Sequence, residues 1–392
     1  MNTLLKYLLI LFFAHAAMAQ NGVQFEEIGF EQAIAKSRTA RKPVFYMIYA
    51  TWCPHCEKMR QQVFTDPKIG AYFNSHFINV LVDGEQGEGP ELRKKFGVKA
   101  FPGLLFIDEQ GTLLYSLNGE FKVDDLLAEA ANAMVPEKQL PYLKAAFDAD
   151  PSNAEKCLAY LITLRKGSDR KALSPAAHKY LATQSDSQLP STINWRIIAN
   201  AVTDINSREF QYVLSHQEQF AAVASPARVQ RKIGNIVTEL LEPYVASLDS
   251  LGYKSKRQIV KSMRLQKADS LVFSYDLMLA EHTNNWAAYR KAAEEGVEKY
   301  VWGNQKIIKE IANTYLQHLA DTERLSYAIK WVKHALELMD SYDGNIILSK
   351  LYLKVNDRSN AITYARKAKE LTRNLGWNSQ EADALFKELN IN

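Results

Sequence analysis

Tyr49-Ala50-Thr51-Trp52-Cys53-Pro54-His55-Cys56 decides how this chain is read. Just before the cysteines, Pro43 to Ala50 is a continuous apolar, β-prone run, as a strand buried on both faces requires. A helix is expected to follow from Cys53. A cysteine at that junction faces free backbone N–H groups and the positive end of the helix dipole, and both favour its thiolate. His55, if protonated or donating a hydrogen bond, adds a second stabilising influence. Pro54 stiffens the turn. Cys56 falls one turn further on, facing inward, where it can attack a mixed disulfide formed on Cys53. Trp52, at the mouth of this arrangement, shapes the surface that a substrate would touch.

The chain has three cysteines, Cys53, Cys56 and Cys157. A bridge between Cys53 and Cys56 closes almost no loop, so it removes little entropy from the unfolded chain. Exported proteins that rely on disulfides for stability carry several dispersed pairs. The spacing therefore points to chemistry. Two other readings of Cys-X-X-Cys are half of a zinc site and a pair of inert buried thiols. A structural zinc site needs two more Cys or His ligands at close spacing, and the sequence offers no second pair. His76, His178, His216, His282, His318 and His334 are scattered without ligand spacing. Cys157, in the helical half, reads as a buried apolar filler.

Working outward, the apolar patterning alternates between strand and helix from Phe25 to Met134. Expected elements are a short strand at Phe25 to Ile28, helices at Phe30 to Lys36, Pro67 to Asn74 and Glu91 to Phe96, and a buried strand at Phe77 to Val82. A hairpin is expected from Leu104–Ile107 and Leu113–Leu117 around Glu109-Gln110-Gly111, and a closing helix from Val123 to Met134. Such an order implies a mixed sheet covered by helices. The glycine-rich Gly84 to Pro90 is a strand-to-helix turn, not a phosphate loop, because no Lys-Ser/Thr follows and its glutamates would repel phosphate.

After Pro136 the strand signals stop, and residues 137–392 read as helix after helix. Breaks are expected near Pro151, Pro175, Pro190, Pro226, Pro243 and Gly252. Ala361 and Ala368 repeat the spacing of Ala328 and Ala335, with Tyr315, Leu348 and Tyr352 nearby. A helix-turn-helix period of about 34 residues is the tetratricopeptide signature. Residues 305–375 are therefore expected to hold tetratricopeptide-like units, with a generic helical bundle as the other reading. The basic stretch Lys254 to Lys267 is a solvated helix face.

The 392 residues are 47% hydrophobic and 23% charged, which excludes disordered and fibrous classes. At roughly 100–200 residues per domain, two or three domains are expected. The net charge of +4 gives no sign of a nucleic-acid partner. Residues 1–19 have the layout of a secretory signal: Lys6, an apolar run from Tyr7 to Ala14, and a small-x-small site at Ala17-Met18-Ala19. The apolar run is too short for a bilayer, which needs about 20 residues, and no later stretch reaches that length. The expectation is an exported protein without a membrane span after signal cleavage, periplasmic if its source is a Gram-negative bacterium. The expected domains are 1–19 as signal, 20–136 as the sheet domain and 137–392 as the helical domain.

Taken together, Tyr49 to Cys56, Val63-Phe64-Thr65-Asp66-Pro67, Val82-Asp83, Lys95-Phe96-Gly97-Val98 and Phe101-Pro102-Gly103-Leu104-Leu105-Phe106 resemble a thioredoxin-fold domain. The resemblance is to the subgroup that contains the C-terminal domain of the thiol:disulfide interchange protein DsbD, and it covers Phe25 to Met134. It implies that Pro102 is a cis-proline against the cysteine pair and that the backbone at Phe101 pairs with an extended substrate segment. An X–Pro bond is the one place where a cis peptide costs little. The chain departs from the family at two positions. The buried acid usual six positions before the first cysteine is replaced by Met47, for which Glu57 is a conceivable substitute, though an exposed helix glutamate is the plainer reading. The threonine favoured after the cis-proline is replaced by Gly103. The Pro-His dipeptide is that of the oxidising protein DsbA, but the stretch from Cys56 to Pro102 leaves no room for DsbA's helical insertion.

Two functions follow. In the first, an exported thiol–disulfide oxidoreductase uses Cys53 and Cys56 as catalytic residues, Trp52, Pro54 and His55 in support, and Phe101 and Pro102 to bind substrate. It needs no cofactor or metal. Its partners are protein substrates with thiols or disulfides, a redox partner protein, and a protein bound by the helical domain. In the second, a helical-repeat interaction protein keeps the thioredoxin domain as a docking module.

Overall fold

The computed structural model describes residues 22–167, 170–263, 265–319, 321–375 and 379–391. The expected export signal at 1–19 lies outside the described residues. The described residues form two compact units, one ending at Val229 and the other beginning at Gln230.

The first unit begins with helix α1 (Phe30–Ala40), strand β1 (Val44–Tyr49) and the short helix α2 (Pro54–Lys58), which runs on as a π-helical turn over Met59–Val63. Then come α3 (Pro67–His76), β2 (Ile78–Asp83), α4 (Gly89–Phe96), β3 (Gly103–Ile107), β4 (Leu113–Asn118) and α5 (Val123–Ala133). The strands form one sheet in the order β2-β1-β3-β4. β1 runs parallel to β2 and antiparallel to β3, and β3 and β4 form the antiparallel hairpin. The expected strand at Phe25 to Ile28 is reduced to a single bridge between Glu26 and Val80.

The alternation of β1 explains the layers. Phe45 and Met47 point to one face, into a core with Met59, Phe64, Phe73, Phe106 and Leu126. Val44, Tyr46 and Ile48 point to the other, onto Phe30, Ile34, Val80, Leu105 and Ile107. Because both faces are covered, the central strand carries no charged side chain. Asp66 caps α3 by accepting from the Lys68 N–H at 2.8 Å, and Pro67 opens the helix, as the sequence predicts.

Six helices complete this unit: α6 (Leu140–Ala149), α7 (Ala154–Lys166), α8 (Leu173–Leu181), α9 (Thr192–Ala201), α10 (Arg208–Ser215) and α11 (Gln217–Val223). α6 and α7 pack against β4, the edge strand. Lys166, at the end of α7, meets both oxygens of Glu129 at 2.9 and 2.8 Å, and the Tyr115 hydroxyl donates to the same carboxylate at 2.6 Å.

The remaining helices are α12 (Pro226–Ala246), which crosses into the second unit, α13 (Ser250–Ser262), α14 (Gln266–His282), α15 (Trp286–Gly296), α16 (Gln305–His318), α17 (Thr322–Leu338), α18 (Tyr342–Lys354), α19 (Arg358–Leu375) and α20 (Gln380–Glu388). No helix among the described residues is long and apolar enough to cross a membrane. Pro175 and Gly252 lie in the first turns of α8 and α13, just after the chain has left α7 and α12; a missing N–H costs little at Pro175, and the Gly252 N–H donates to Asp249 Oδ1 at 2.9 Å. One of the expected breaks is not a break. Pro243 lies inside α12. Its ring forfeits one backbone bond, but Leu241 and Val245, one turn apart, are buried in the same core and hold the helix together.

Candidate redox site

β1 ends at Tyr49, and the chain turns through Ala50 to Trp52 into α2. Cys53 is the N-cap of α2: its Sγ accepts the N–H of Cys56 at 3.2 Å, and Pro54 occupies the first helical position. Cys53 keeps 5% of its surface exposed and Cys56 only 1%. The Cys56 thiol is pushed up to about 12, first by burial and then by its hydrogen bond with Cys53. Cys157 is fully buried, and burial pushes its thiol up to about 12 as well.

The Phe101–Pro102 peptide bond is cis. Register places it: Ile48 on β1 pairs with Gly103 on β3, so Pro102 comes alongside the end of β1 from which the cysteine pair emerges. Gly103 answers to packing. A Cβ there would lie 2.6 Å from a methyl of Val98, so the threonine of the resembled family has no room. Trp52 is exposed to 67% of its surface yet held on two sides. Its indole N–H donates to Glu85 at 2.9 Å, and its ring meets Phe101 edge-on with centroids 5.9 Å apart. The Arg93 guanidinium covers Phe101, 4.6 Å from the ring centre.

His55 differs from its expected placement. Its Nδ1 meets Glu120 Oε2 at 2.9 Å, while among the described residues the hydrogen bond on the Cys53 sulfur comes from the Cys56 N–H. Glu120 also pairs with Lys58. Bonds from Lys58 and then from His55 hold its carboxyl below the usual carboxylate range. Met47 is wholly buried where the family's acid would stand. Glu57 does not replace it; it is exposed and holds Gln61 at 2.6 Å and Arg60 at 3.4 Å. Among the described residues no three His, Cys, Asp or Glu side chains stand together as metal ligands.

The sequence does not single out Glu85, which accepts from Trp52, Arg93, which lies over Phe101, or Glu120, which meets His55. Glu120 lies 65 positions from His55, and no local pattern links them. Only the topology, which returns the chain past the cysteines after β4, does so.

A four-stranded mixed sheet with a cis-proline beside a Cys-X-X-Cys helix start defines the class: residues 30–133 are a thioredoxin-like domain, and the family model of that description matches over this range. The particular likeness is to thiol:disulfide interchange protein DsbD. That of Actinobacillus pleuropneumoniae is 29% identical over 101 residues, covering 25% of this chain and 17% of the relative. That of Escherichia coli is 28% identical over 102 residues, covering 25% and 18%. The chain thus spans less than a fifth of the length of these relatives. Among solved structures, a candidate disulphide-isomerase from Bacteroides thetaiotaomicron is 39% identical, covering 29% of this chain and 93% of that one, with a TM-score of 0.28. The C-terminal domain of Neisseria meningitidis DsbD, in the oxidised form, is 22% identical, covering 26% and 90%, with a TM-score of 0.24.

Proposed function

We propose that this protein is an exported thiol–disulfide oxidoreductase acting on other proteins, with Cys53 as nucleophile and Cys56 as resolving thiol. The observation that carries the reading is the asymmetry of the pair: one sulfur caps a helix start and accepts an N–H, while the other is buried one turn on with its thiol held protonated. The Cys53 thiolate attacks a client disulfide; a Cys53–client disulfide forms and the client's other sulfur leaves as thiolate. Cys56 then gives up its proton and attacks Cys53, releasing the second client thiolate, which takes up a proton from solvent. Two electrons pass from the dithiol to the client, and a partner protein's dithiol must restore them; run backward, the cycle oxidises a client. Two of the influences that hold the Cys56 thiol up come from Cys53. They lapse once Cys53 is in a mixed disulfide, which eases the ionisation of Cys56 while burial, the largest influence, stays in place.

In this reading Trp52 and Phe101 form the wall against which a client segment lies, with Pro102 beside it, and Pro54 and His55 shape the turn. The sheet domain occupies 20–136 after a signal at 1–19, and 137–392 forms a helical domain that selects the client or partner. The packing of α16 on α17 and α18 on α19, with Ala328, Ala335, Ala361 and Ala368 all fully buried at the crossings, supports tetratricopeptide-like units there. Reduction of insulin disulfides by the purified chain tests the activity; a rate equal to that of a Cys53→Ser variant refutes it.

A further inference from the structure

Glu120 stands on the Gly119–Phe121 turn between β4 and α5, and this turn is fastened on both sides of the cysteine pair. The Gly119 N–H donates to the carbonyl of Pro102 at 3.0 Å, at a φ of +98 that suits glycine. The Phe121 N–H donates to the sulfur of Met59 at 3.2 Å, three residues past Cys56. So held, the Glu120 carboxylate faces the two basic side chains of α2. One oxygen takes His55 Nδ1 at 2.9 Å and the other takes Lys58. His55 and Lys58 are three apart and share a helix face, so one carboxylate reaches both.

The contact is exposed, with 65% of the His55 side chain in solvent, so it adds little to stability. Its consequence lies in the reaction. A disulfide is neutral, whereas the reduced pair carries a thiolate when Cys53 ionises. An imidazole brought to that sulfur would stabilise the reduced form and make the disulfide more oxidising. The carboxylate competes with the thiolate for the same ring, and Lys58 offsets the carboxylate's own charge.

We propose that Glu120 is a positioning residue of the exchange reaction: it holds His55 by Nδ1 on the outer face of α2 and withholds the ring from the Cys53 sulfur. The pair is thereby less oxidising than its Pro54-His55 dipeptide alone would make it. This rests on Cys53 and Cys56 being a working redox pair.

The test is a double-mutant cycle in the full chain, equilibrated with reduced and oxidised glutathione, with the dithiol and disulfide forms of Cys53–Cys56 counted by alkylation and mass mapping. Glu120→Gln is expected to shift the equilibrium toward the dithiol about tenfold, which corresponds to about 30 mV for a two-electron couple. In a His55→Ala background the same substitution is expected to shift it less than about twofold, because the coupling acts through the ring. Melting temperatures are expected to stay together. No shift in Glu120→Gln, a shift toward the disulfide, or an equal shift in both backgrounds overturns the proposal; the last would mean that Glu120 acts by its charge alone. An unsubstituted protein that exchanges nothing with glutathione overturns the redox reading itself, and is told apart because it fails before any variant is compared.

Discussion

The two cysteines differ more in environment than in sequence position. The thiolate is the reactive form, and a thiol that burial pushes well above its ordinary range holds very little thiolate at pH 7. Cys56 and Cys157 are therefore expected to resist brief alkylation at neutral pH and to gain reactivity only in strongly alkaline solution, whereas Cys53 is labelled first. Mass mapping of the reduced protein reads this directly, and labelling of Cys56 ahead of Cys53 would reverse the roles. Cys56→Ala removes the resolving thiol, so mixed disulfides with clients are expected to accumulate on Cys53. Non-reducing electrophoresis would show them, and their absence in the compartment where the protein resides would count against exchange.

At the level of elements, the cis-proline loop and the start of β3 are packed to their limit. Gly103→Thr would restore the residue that the resembled family favours, yet its Cβ would meet Val98 at 2.6 Å. Valine is stiff at χ1 and cannot swing away. Overpacking of this kind costs about 1–3 kcal/mol. We expect a loss of that order in urea unfolding, with most of it recovered in Gly103→Thr/Val98→Ala. A Gly103→Thr protein as stable as the parent would mean that the loop relaxes freely. On the far side of the sheet, Lys166→Ala strips Glu129 of its ammonium and uncovers Tyr115. Because the Lys166 side chain is 28% exposed, a cost near 1 kcal/mol is expected rather than the larger penalty of a fully buried pair. The same unfolding curves measure it.

For the whole molecule, the question is whether the helical region takes part in the chemistry. Ala328 is wholly buried in the core shared by α16, α17 and α18. Ala328→Leu adds volume that this crossing has no room for, with an expected cost of about 1–3 kcal/mol. If the helical region selects partners and the thioredoxin-like domain performs the exchange, this variant is expected to lose thermal stability in its helical transition while reducing a small disulfide at the parent rate. Calorimetry with a parallel kinetic assay separates the two. An equal fall in both would tie the helices to the redox step.

The sequence by itself determined the local features. The β1 run, the Asp66-Pro67 helix start, the hairpin turn and the position of Cys53 at a strand–helix junction are all written in near neighbours, where periodicity and capping chemistry act. The resemblance carried by Phe101-Pro102 led to the cis bond that is present. Helix breaks read from proline alone were less secure, since whether Pro243 ends a helix depends on what Leu241 and Val245 pack against. Tertiary structure alone decided what surrounds the pair. It placed Glu120 on His55, Glu85 on Trp52, Arg93 over Phe101 and Lys166 on Glu129, contacts between residues far apart along the chain or set by side-chain direction across a fold. Hydrophobic spacing specifies which face of an element is buried, but it does not specify which polar groups the closed sheet then brings within hydrogen-bond reach.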